Sequence, residues 1–306
     1  MRIKKKSLGY GAIIIIIAVA GVLGYDYWYK NSHYWEVSDK GLLKFNINND
    51  IKFESYPYNE NEYVNITEVV FESRGVNVYG LLVEPYSDFR LPGVVLLPGA
   101  GVSKESELGL AVTIARLGFI VITIDQRGVG ETKYFLSDID EDYKKFTEGG
   151  DVFQYLLVHD AIKAADVIRK NPKIEKDSII IVGESLGGRV AVIAAAIDKR
   201  FNGALAISSS GLGFTPKGDE VKDKFISSID ADKYISLISP KRIAMIHNIN
   251  DKNIPFEAAA NTYSIAKEPK LLLYMNETEK CNHGYCNEMH DSLKNALNFV
   301  MGNIDK

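Results

Sequence analysis

A pentapeptide of the form G-x-S-x-G, at residues 183–187, is the part of the sequence that most clearly predicts chemistry. It lies between a continuous apolar run, residues 179–182, and a helix-forming run that begins at Leu186. A sharp turn from a strand into a helix would raise the Ser185 hydroxyl above the sheet, where it can act as a nucleophile. The alternative is an ordinary glycine-rich start of a helix, and the strand–helix context favours the nucleophile.

A serine hydroxyl needs a base to remove its proton, and histidine is the usual base. Five histidines are present. His283 lies in a polar loop, residues 276–288, between the last predicted strand and the last predicted helix. A loop at that end of a strand can reach over the serine, so His283 is the predicted base. His290, at the start of the last helix, is the alternative.

The histidine in turn needs an acid that orients its ring. Asp251 follows the apolar run 243–247 on a loop just before a helix, at the same predicted edge of the sheet. An aspartate in an Asn-Asp segment can also be a turn or helix-capping residue. Asp230 and Asp232 are possible substitutes, but they lie in the preceding insertion. The chain order serine, acid, histidine places all three at strand ends and favours Asp251.

A third requirement is a pair of backbone amides that bind a developing oxyanion. One predicted donor is the amide of Leu186, next to the serine. The other is the amide of Ala100, with Gly101 as the alternative, in the glycine-rich stretch 97–101 that follows a short apolar run. The same stretch could also be only a tight turn from a strand to a helix.

Alternating elements must position these residues. An antiparallel hairpin is predicted over residues 64–71 and 76–83. Short runs that are apolar on both faces follow. They alternate with predicted helices at residues 105–117, 152–170, 186–196, 256–266 and 291–301. This order predicts an α/β domain over residues 63–306, with a mostly parallel sheet, an N-terminal antiparallel hairpin and helices on both faces. The predicted strands after the hairpin lie at residues 94–97, 119–124, 179–182, 204–207, 243–247 and 271–275.

The N-terminal residues 1–25 differ in composition from the rest of the chain. Residues 8–25 carry no charge and would extend roughly 27 Å as a helix, enough to span a thin bilayer. Four cations precede them, which predicts a cytoplasmic N-terminus and an extracytoplasmic domain. A cleaved signal peptide and a buried core helix are the alternatives. Residues 26–62 are polar and aromatic, and we expect a stalk or irregular lead-in there.

Composition excludes some partners and cofactors. Without the four N-terminal cations, 32 lysines and arginines face 40 acidic residues, a net charge of −8 that disfavours nucleic-acid binding. The two cysteines, Cys281 and Cys286, flank His283 and could form a disulfide in an oxidising compartment or remain free thiols. One histidine between two cysteines provides too few ligands for a metal site without distant residues. No metal or organic cofactor is predicted.

Residues 64–301 resemble the α/β-hydrolase superfamily, and most closely its carboxylesterase, dienelactone-hydrolase and prolyl-oligopeptidase-like branches. The stretch 125–132, DQRGVGET, is similar to the D-x-R-G-x-G-x-S/T turn of these enzymes. The resemblance implies that Asp125 and Arg127 are structural residues that hold this turn. This sequence departs from the family pattern in two places. Pro98 replaces a histidine that many members have, and only about 34 residues, 209–242, stand where many relatives insert a helical lid.

The resemblance implies a serine hydrolase without a cofactor, whose substrate is a small-molecule ester. In this interpretation His283 takes the proton of Ser185 and Asp251 stabilises the imidazolium, while an acyl-serine intermediate forms. A peptidase that acts on short peptides is the alternative enzyme. A catalytically silent binding protein on the same fold is the alternative from another class, and the complete set of three residues disfavours it.

Overall fold

The computed structural model describes residues 34–46, 50–276 and 281–302, together with Gly21. Apart from Gly21, the predicted membrane segment 8–25 lies outside these residues, as does the first part of the predicted lead-in, 26–33. Within the described part of the chain, no helix is both long and apolar enough to cross a membrane. The membrane anchor therefore stays a prediction.

Eleven strands are present in the described residues, and nine of them form one sheet. The two that form a separate antiparallel pair are β1 Trp35–Val37 and β2 Leu43–Phe45. The strands of the large sheet are β3 Phe53–Glu60, β4 Val64–Ser73, β5 Val76–Pro85, β6 Leu91–Leu97, β7 Ile120–Ile124, β8 Ile174–Glu184, β9 Gly203–Ile207, β10 Arg242–Asn248 and β11 Lys270–Met275. Their order across the sheet is β11-β10-β9-β8-β6-β7-β5-β4-β3.

The sheet is parallel over its larger part. Strands β6 to β11 pair in parallel with one another, whereas β3, β4 and β5 pair antiparallel, and β5 joins them to β7. The predicted hairpin, β4 and β5, and the predicted parallel strands are thus confirmed.

Helices cover both faces of the sheet, as predicted. They are α1 Leu108–Arg116, α2 Ile139–Glu148, α3 Phe153–Arg169, α4 Leu186–Ile197, α5 Glu220–Ile229, α6 Phe256–Ile265 and α7 His290–Met301. Residues of α3 and α4 belong to the hydrophobic cluster on one face, and residues of α1 and α7 to the cluster on the other. In β8, Ile179 and Ile181 face the first cluster, while Ile180 and Val182 face the second. This two-sided burial explains the continuous apolar runs in the sequence.

The segment before the hairpin is structured rather than an irregular lead-in. Leu43 is buried, and its amide donates a hydrogen bond of 2.7 Å to the Tyr234 hydroxyl. The indole nitrogen of Trp35 donates to the carbonyl of Gly150 at 2.9 Å. Strand β3 pairs with β4 at the edge of the sheet, and most of its side chains are exposed. An exposed edge strand lacks the apolar alternation that would have predicted it.

Two helices, α2 and α5, lie in segments that the sequence pattern did not predict as helical. The one buried residue of α2 is Asp142, whose carboxylate accepts hydrogen bonds from the amides of Phe153 and Gln154 at 2.8 and 3.1 Å. It thereby satisfies free amides at the start of α3. The apolar stripe of α2 is short, because only Tyr143 and Phe146 pack on Phe225 and neither ring is fully buried. The rest of the helix is mostly polar, so the sequence pattern did not identify it.

The loops that carry the predicted site follow β6, β8, β10 and β11. All four strands are parallel, so their carboxyl ends lie at one edge of the sheet. That edge is where open α/β sheets bind ligands. Residues 98–101, Ser185, Asp251 and His283 are therefore all placed at the same edge.

Candidate active site

Ser185 sits in a strained turn between β8 and α4. Its backbone has φ 51° and ψ −117°, a conformation that costs a non-glycine residue about 1–3 kcal/mol. The neighbouring glycines make the turn possible. A Cβ on Gly183 would overlap the backbone of Gly187, and a Cβ on Gly187 would overlap the carbonyls of Leu97 and Pro98. The strand–turn–helix context predicted for the pentapeptide is confirmed.

The surroundings of Ser185 hold this backbone in place. Its amide donates to the carbonyl of Ile207 at 2.9 Å, and its own carbonyl accepts from the hydroxyl of Ser209 at 2.7 Å. Gly188 is needed nearby, because a Cβ there would lie 2.5 Å from the Cβ of Ser209. The Ser185 residue is half-buried, and its hydroxyl makes no hydrogen bond to another described residue. Ser185 also directly precedes α4, and negative charge is favoured at the start of a helix.

Asp251 is nearly buried and fully hydrogen-bonded. The amides of Asn253 and Ile254 each donate to its Oδ1 at 2.9 Å. Burial opposes ionisation of the carboxyl group. The hydrogen bonds from Ile254, His283 and Asn253 outweigh burial and hold the pKa of Asp251 below its ordinary value. Asp251 is therefore a carboxylate at neutral pH.

The structure brings Asp251 and His283 together, as predicted. The Nδ1 of His283 lies 3.0 and 2.9 Å from the two carboxylate oxygens of Asp251. An Nδ1–H that donates to the carboxylate leaves Nε2 as the free, basic nitrogen. This tautomer is the one that a general base toward a serine requires.

The loop of His283 is fixed on both sides. Cys281 and Cys286 form a disulfide with 5.5 Å between their Cα atoms, so the structure favours the disulfide over free thiols. The amide of Lys252, next to Asp251, donates to the carbonyl of Asn282 at 3.1 Å. These contacts bind the acid loop and the histidine loop to each other.

Glu184 connects the histidine loop to the serine turn. Its carboxylate accepts a hydrogen bond from the amide of Tyr285. A Cβ on Gly284 would lie 3.5 Å from the same carboxylate. Because Glu184 precedes Ser185 and Tyr285 follows two residues after His283, this contact brings the base close to the nucleophile. A hydrogen bond from Ser185 to His283 stays a prediction.

The predicted oxyanion loop passes directly beside the serine. A Cβ on Gly99 would lie 3.5 Å from the Cβ of Ser185. Ala100 is exposed, and neither its amide nor that of Gly101 donates a hydrogen bond to another described residue. Both amides are thus available for a substrate oxygen. The roles of Ala100 and Leu186 as donors stay predictions.

Comparison with known families now adds to this geometry. The acetyl xylan esterase (AXE1) family profile matches residues 29–209, more than half of the 306 residues. The chain belongs to the acetyl xylan esterase family. The matched region includes Ser185 and the glycine-rich loop 98–101, and it ends before Asp251 and His283.

This esterase is similar to further proteins, one in sequence and two in structure. The protein YfhR of Escherichia coli K12 is 26% identical over 230 residues, which cover 69% of this chain and 73% of YfhR. An acetyl xylan esterase from Paenibacillus sp. R4 superimposes with a TM-score of 0.68 at 18% identity, covering 82% of this chain and 89% of that one. A putative dienelactone hydrolase from Klebsiella pneumoniae superimposes with a TM-score of 0.59 at 15% identity, covering 78% of this chain and 98% of that one.

These findings confirm the α/β-hydrolase fold and the carboxylesterase class that the sequence predicted. The protein is a carboxylesterase-type serine hydrolase. Among the residues that the structure describes, no group of three or more His, Cys, Asp or Glu side chains could hold a metal ion.

The alternative site residues of this esterase lie elsewhere. His290 is exposed at the start of α7, beside Thr113 and Arg116. Asp230 is fully buried and accepts hydrogen bonds from the amides of Leu212, Phe214 and Asp232. Asp232 accepts from the amide of Gly213. Both aspartates stabilise the loop after β9, and Asp251 alone among the three contacts His283.

The turn after β7 is structural, as predicted. Asp125 is fully buried and accepts from the amides of Lys104 and Glu131, each at 2.8 Å. Arg127 is also buried, and its guanidinium binds the carboxylate of Asp160 on α3 at 2.7 and 3.0 Å. The turn is thereby attached to α3 and to the start of the loop that leads to α1.

Two positioning residues of this esterase were not predicted from the sequence. Gln126 donates from its side chain to the carbonyl of Pro98 at 2.7 Å and so holds the oxyanion loop. His247 is buried behind Asp251, with Nε2 3.7 Å from its carboxylate and 2.9 Å from the carbonyl of Ile254. Burial lowers the pKa of His247, which keeps this ring neutral and leaves the charge on Asp251. Neither residue belongs to a local motif that a sequence pattern could identify.

Proposed function

We propose that this protein hydrolyses carboxylic esters with a short acyl group through a covalent acyl-serine intermediate. The observation that carries the proposal is the hydrogen bond between His283 Nδ1 and Asp251. The loop that carries His283 is hydrogen-bonded to Glu184, the neighbour of Ser185. An acid–histidine pair beside a strained serine at a helix N-terminus contains the groups that acyl transfer needs.

The proposed reaction has two halves. The Ser185 oxygen attacks the ester carbonyl while its proton passes to Nε2 of His283, and the resulting oxyanion accepts hydrogen bonds from the amides of Ala100 and Leu186. Collapse of this intermediate releases the alcohol, which takes the proton from His283, and leaves the acyl group on Ser185. Water then attacks the acyl-serine with His283 as its base and releases the carboxylic acid. Asp251 stays ionised and stabilises the imidazolium.

Acetyl esters of carbohydrates are the first candidate substrates. The family is that of acetyl xylan esterases, and a solved structure with a similar fold carries the same name. An acetyl group also needs only a small acyl pocket, whereas a long acyl chain needs an extended apolar channel. We propose acetylated sugars ahead of long-chain esters and short peptides.

We also propose that residues 8–25 hold the enzyme at the membrane, with the domain on the extracytoplasmic side. The support is the uncharged length of this segment and the cations before it. The Cys281–Cys286 disulfide adds support, because such bonds persist in oxidising compartments.

Hydrolysis by the purified protein tests the proposed activity. The substrates are p-nitrophenyl acetate, butyrate and octanoate, acetylated xylan, and aminoacyl anilides. We expect the acetate ester to be the best p-nitrophenyl substrate and the anilides to be inert. Asp251→Asn should lower kcat up to about 10⁴-fold, because it stabilises the wrong imidazole tautomer.

Two further variants make this test specific. His283→Ala should be as severe as loss of the serine, because the three residues act together. His290→Ala is the matched control and should retain activity, since that side chain is exposed and lies apart from Asp251. Anilide cleavage without ester cleavage would instead support the peptidase, and no turnover at all would support the binding protein.

A further inference from the structure

The carboxyl groups of Glu107 and Glu184 lie together next to the turn that carries the candidate nucleophile, with Glu107 buried and Glu184 half-buried. Glu107 lies where the loop after β6 enters α1 and is 3% exposed. Glu184 is the last residue of β8, immediately before Ser185. The two side chains are hydrogen-bonded to each other. A hydrogen bond between two carboxyl groups requires one proton, so the pair carries a single negative charge rather than two.

The surroundings determine which member carries the proton. Burial, together with the charge of Glu184, raises the pKa of Glu107 to about 9. Burial also raises the pKa of Glu184, but the amide of Tyr285, the hydrogen bond from Glu107 and the charge of His283 oppose this rise. The proton therefore belongs on Glu107, and the negative charge belongs on Glu184, the member that faces His283.

The charged groups around the pair are few. They are Glu184 on β8, Glu107 at the start of α1, and His283 and Tyr285 on the histidine loop. Burial and the charge of Glu184 raise the pKa of the Tyr285 phenol. Neither carboxyl group forms an ion pair with a lysine or arginine of the described residues. His283 is thus the one basic side chain that lies beside this charge within the described part of the chain.

Such a pair has an evident use beside a histidine base. A carboxylate that accepts the amide of Tyr285 fixes the backbone two residues beyond His283. The same negative charge stabilises an imidazolium more than a neutral imidazole, and the imidazolium is the form that develops during the reaction. We propose that Glu184, which contacts Glu107 and accepts the amide of Tyr285, is a positioning residue that fixes the His283 loop and places negative charge beside the imidazolium that forms in the reaction.

This inference rests on the proposed acyl-serine function. It has one consequence that a merely structural pair would lack. When Glu107 loses its proton at alkaline pH, two negative charges meet in a buried site and their hydrogen bond breaks. The loop of His283 then loses part of its support, so activity should decline reversibly as the pH passes about 9.

Rate measurements test the charge of Glu184. We expect Glu184→Gln to lower kcat for p-nitrophenyl acetate about 10- to 100-fold with KM changed less than about twofold, because the amide removes the charge and keeps the shape. Glu107→Gln keeps a permanent hydrogen-bond donor toward Glu184. It should lose less activity at pH 7 than Glu184→Gln and should lack the alkaline decline of the unmodified protein.

Glu288→Gln is the matched control for these rates, since this exposed acid follows the same loop and does not contact the pair. It should reproduce the unmodified pH profile. The proposal is overturned if Glu184→Gln retains kcat within about twofold, or if Glu107→Gln keeps the alkaline decline of the unmodified protein.

Hydrogen exchange separates this inference from the proposed function. Glu184→Ala removes the acceptor as well as the charge, so exchange in residues 281–289 should accelerate at least about tenfold at neutral pH, while Glu288→Gln leaves it unchanged. If turnover persists in Ser185→Ala, the proposed function fails, and the exchange result still tests the role of Glu184. Unchanged exchange in Glu184→Ala contradicts the positioning role whatever the substrate.

Discussion

At position 185 the backbone conformation works against stability. A positive φ at a serine is costly. Two hydrogen bonds maintain it, one from the Ser185 amide to the carbonyl of Ile207 and one from the Ser209 hydroxyl to the carbonyl of Ser185. The same conformation favours a hydroxyl raised above the sheet. This hydroxyl makes no hydrogen bond within the part of the chain that the structure describes. Strain at a single residue is therefore coupled directly to the availability of the nucleophile.

Two substitutions at this residue separate strain from chemistry. Ser185→Ala and Ser185→Gly should both abolish ester hydrolysis and labelling by a fluorophosphonate, because each lacks the hydroxyl. The glycine variant should be more stable than the alanine variant by about 1 kcal/mol, since glycine tolerates a φ of 51°. Urea unfolding of both variants measures the difference. Equal stabilities would show that the turn is not strained, and surviving label would move the nucleophile to another serine.

Residue types explain which parts of the site were predictable. Ser185 is part of a motif, and Asp251 and His283 follow apolar runs, so position along the chain was sufficient to select them. Gln126 and Glu107 act through contacts between elements that are distant in sequence, and a polar residue in a loop has no pattern that indicates its partner. The same limit left the pairing of Cys281 and Cys286 open until the loop geometry was known.

At the scale of elements, a single side-chain contact holds the carbonyl of Pro98 in the loop after β6. Gln126 donates to the carbonyl of Pro98, and no other side chain of the described residues donates to that carbonyl. Gln126→Met keeps the approximate size of the side chain and removes the donor. We expect kcat to fall about tenfold with KM nearly constant, since a displaced oxyanion loop weakens binding of the transition state more than of the substrate.

A matched variant shows whether the effect belongs to this loop. Gln154→Met removes a glutamine of α3, whose side-chain oxygen accepts from Arg189 and which makes no hydrogen bond with the described residues of the loop after β6. Its kcat should stay within about twofold of the unmodified value. A change in KM alone for Gln126→Met would indicate that this residue acts in substrate binding instead of holding the oxyanion loop.

The junction between β6 and α1 should also make stability depend on pH. Burial raises the pKa of Glu107 from its ordinary 4.5 to about 9, so the folded protein holds a proton that the unfolded chain releases. The stability that the folded protein gains by holding this proton is fully present below pH 4.5 and is lost as the pH rises toward 9. Over that window one proton changes the free energy of unfolding by up to about 1.4 kcal/mol per pH unit.

Urea unfolding at pH 6, 7 and 8 measures this slope. Glu107→Gln should have a smaller decline of stability with pH than the unmodified protein, because its side chain does not titrate. Glu288→Gln should keep the unmodified slope. Identical slopes for all three proteins would mean that Glu107 is already ionised in the folded state.

Elements also differ in how well the sequence predicted them. The parallel strands and α1, α3, α4, α6 and α7 were predicted because burial imposes apolar runs or stripes on them. Strand β3 and helix α2 were not, because one is an exposed edge strand and the other buries a single carboxylate. Strand β3 is placed by its pairing with β4. Helix α2 is placed by the hydrogen bonds of Asp142 and by the partly buried rings of Tyr143 and Phe146. Such contacts produce only a weak hydropathy pattern.

For the whole molecule, charge asymmetry predicts the topology. Arg2 and Lys4 to Lys6 precede the uncharged segment, and Asp26 follows it. The N-terminus should stay in the cytoplasm, with the esterase domain outside. Protease added to spheroplasts should then digest the domain, and the thiols of Cys281 and Cys286 should resist alkylation until they are reduced. A protected domain with both thiols reactive would contradict this topology.

The edge of the large sheet that is formed by β3 affects whether neighbouring copies of the protein can associate through their strands. Strand β3 carries Pro57, which has no amide hydrogen, and its pairing with β4 shifts register between Pro57 and Asn59. Glu54 and Glu60 add negative charge along the same strand. An interrupted, charged edge is a poor template for another strand. Neighbouring copies on one surface would thus meet an edge that resists sheet extension and the aggregation that follows from it.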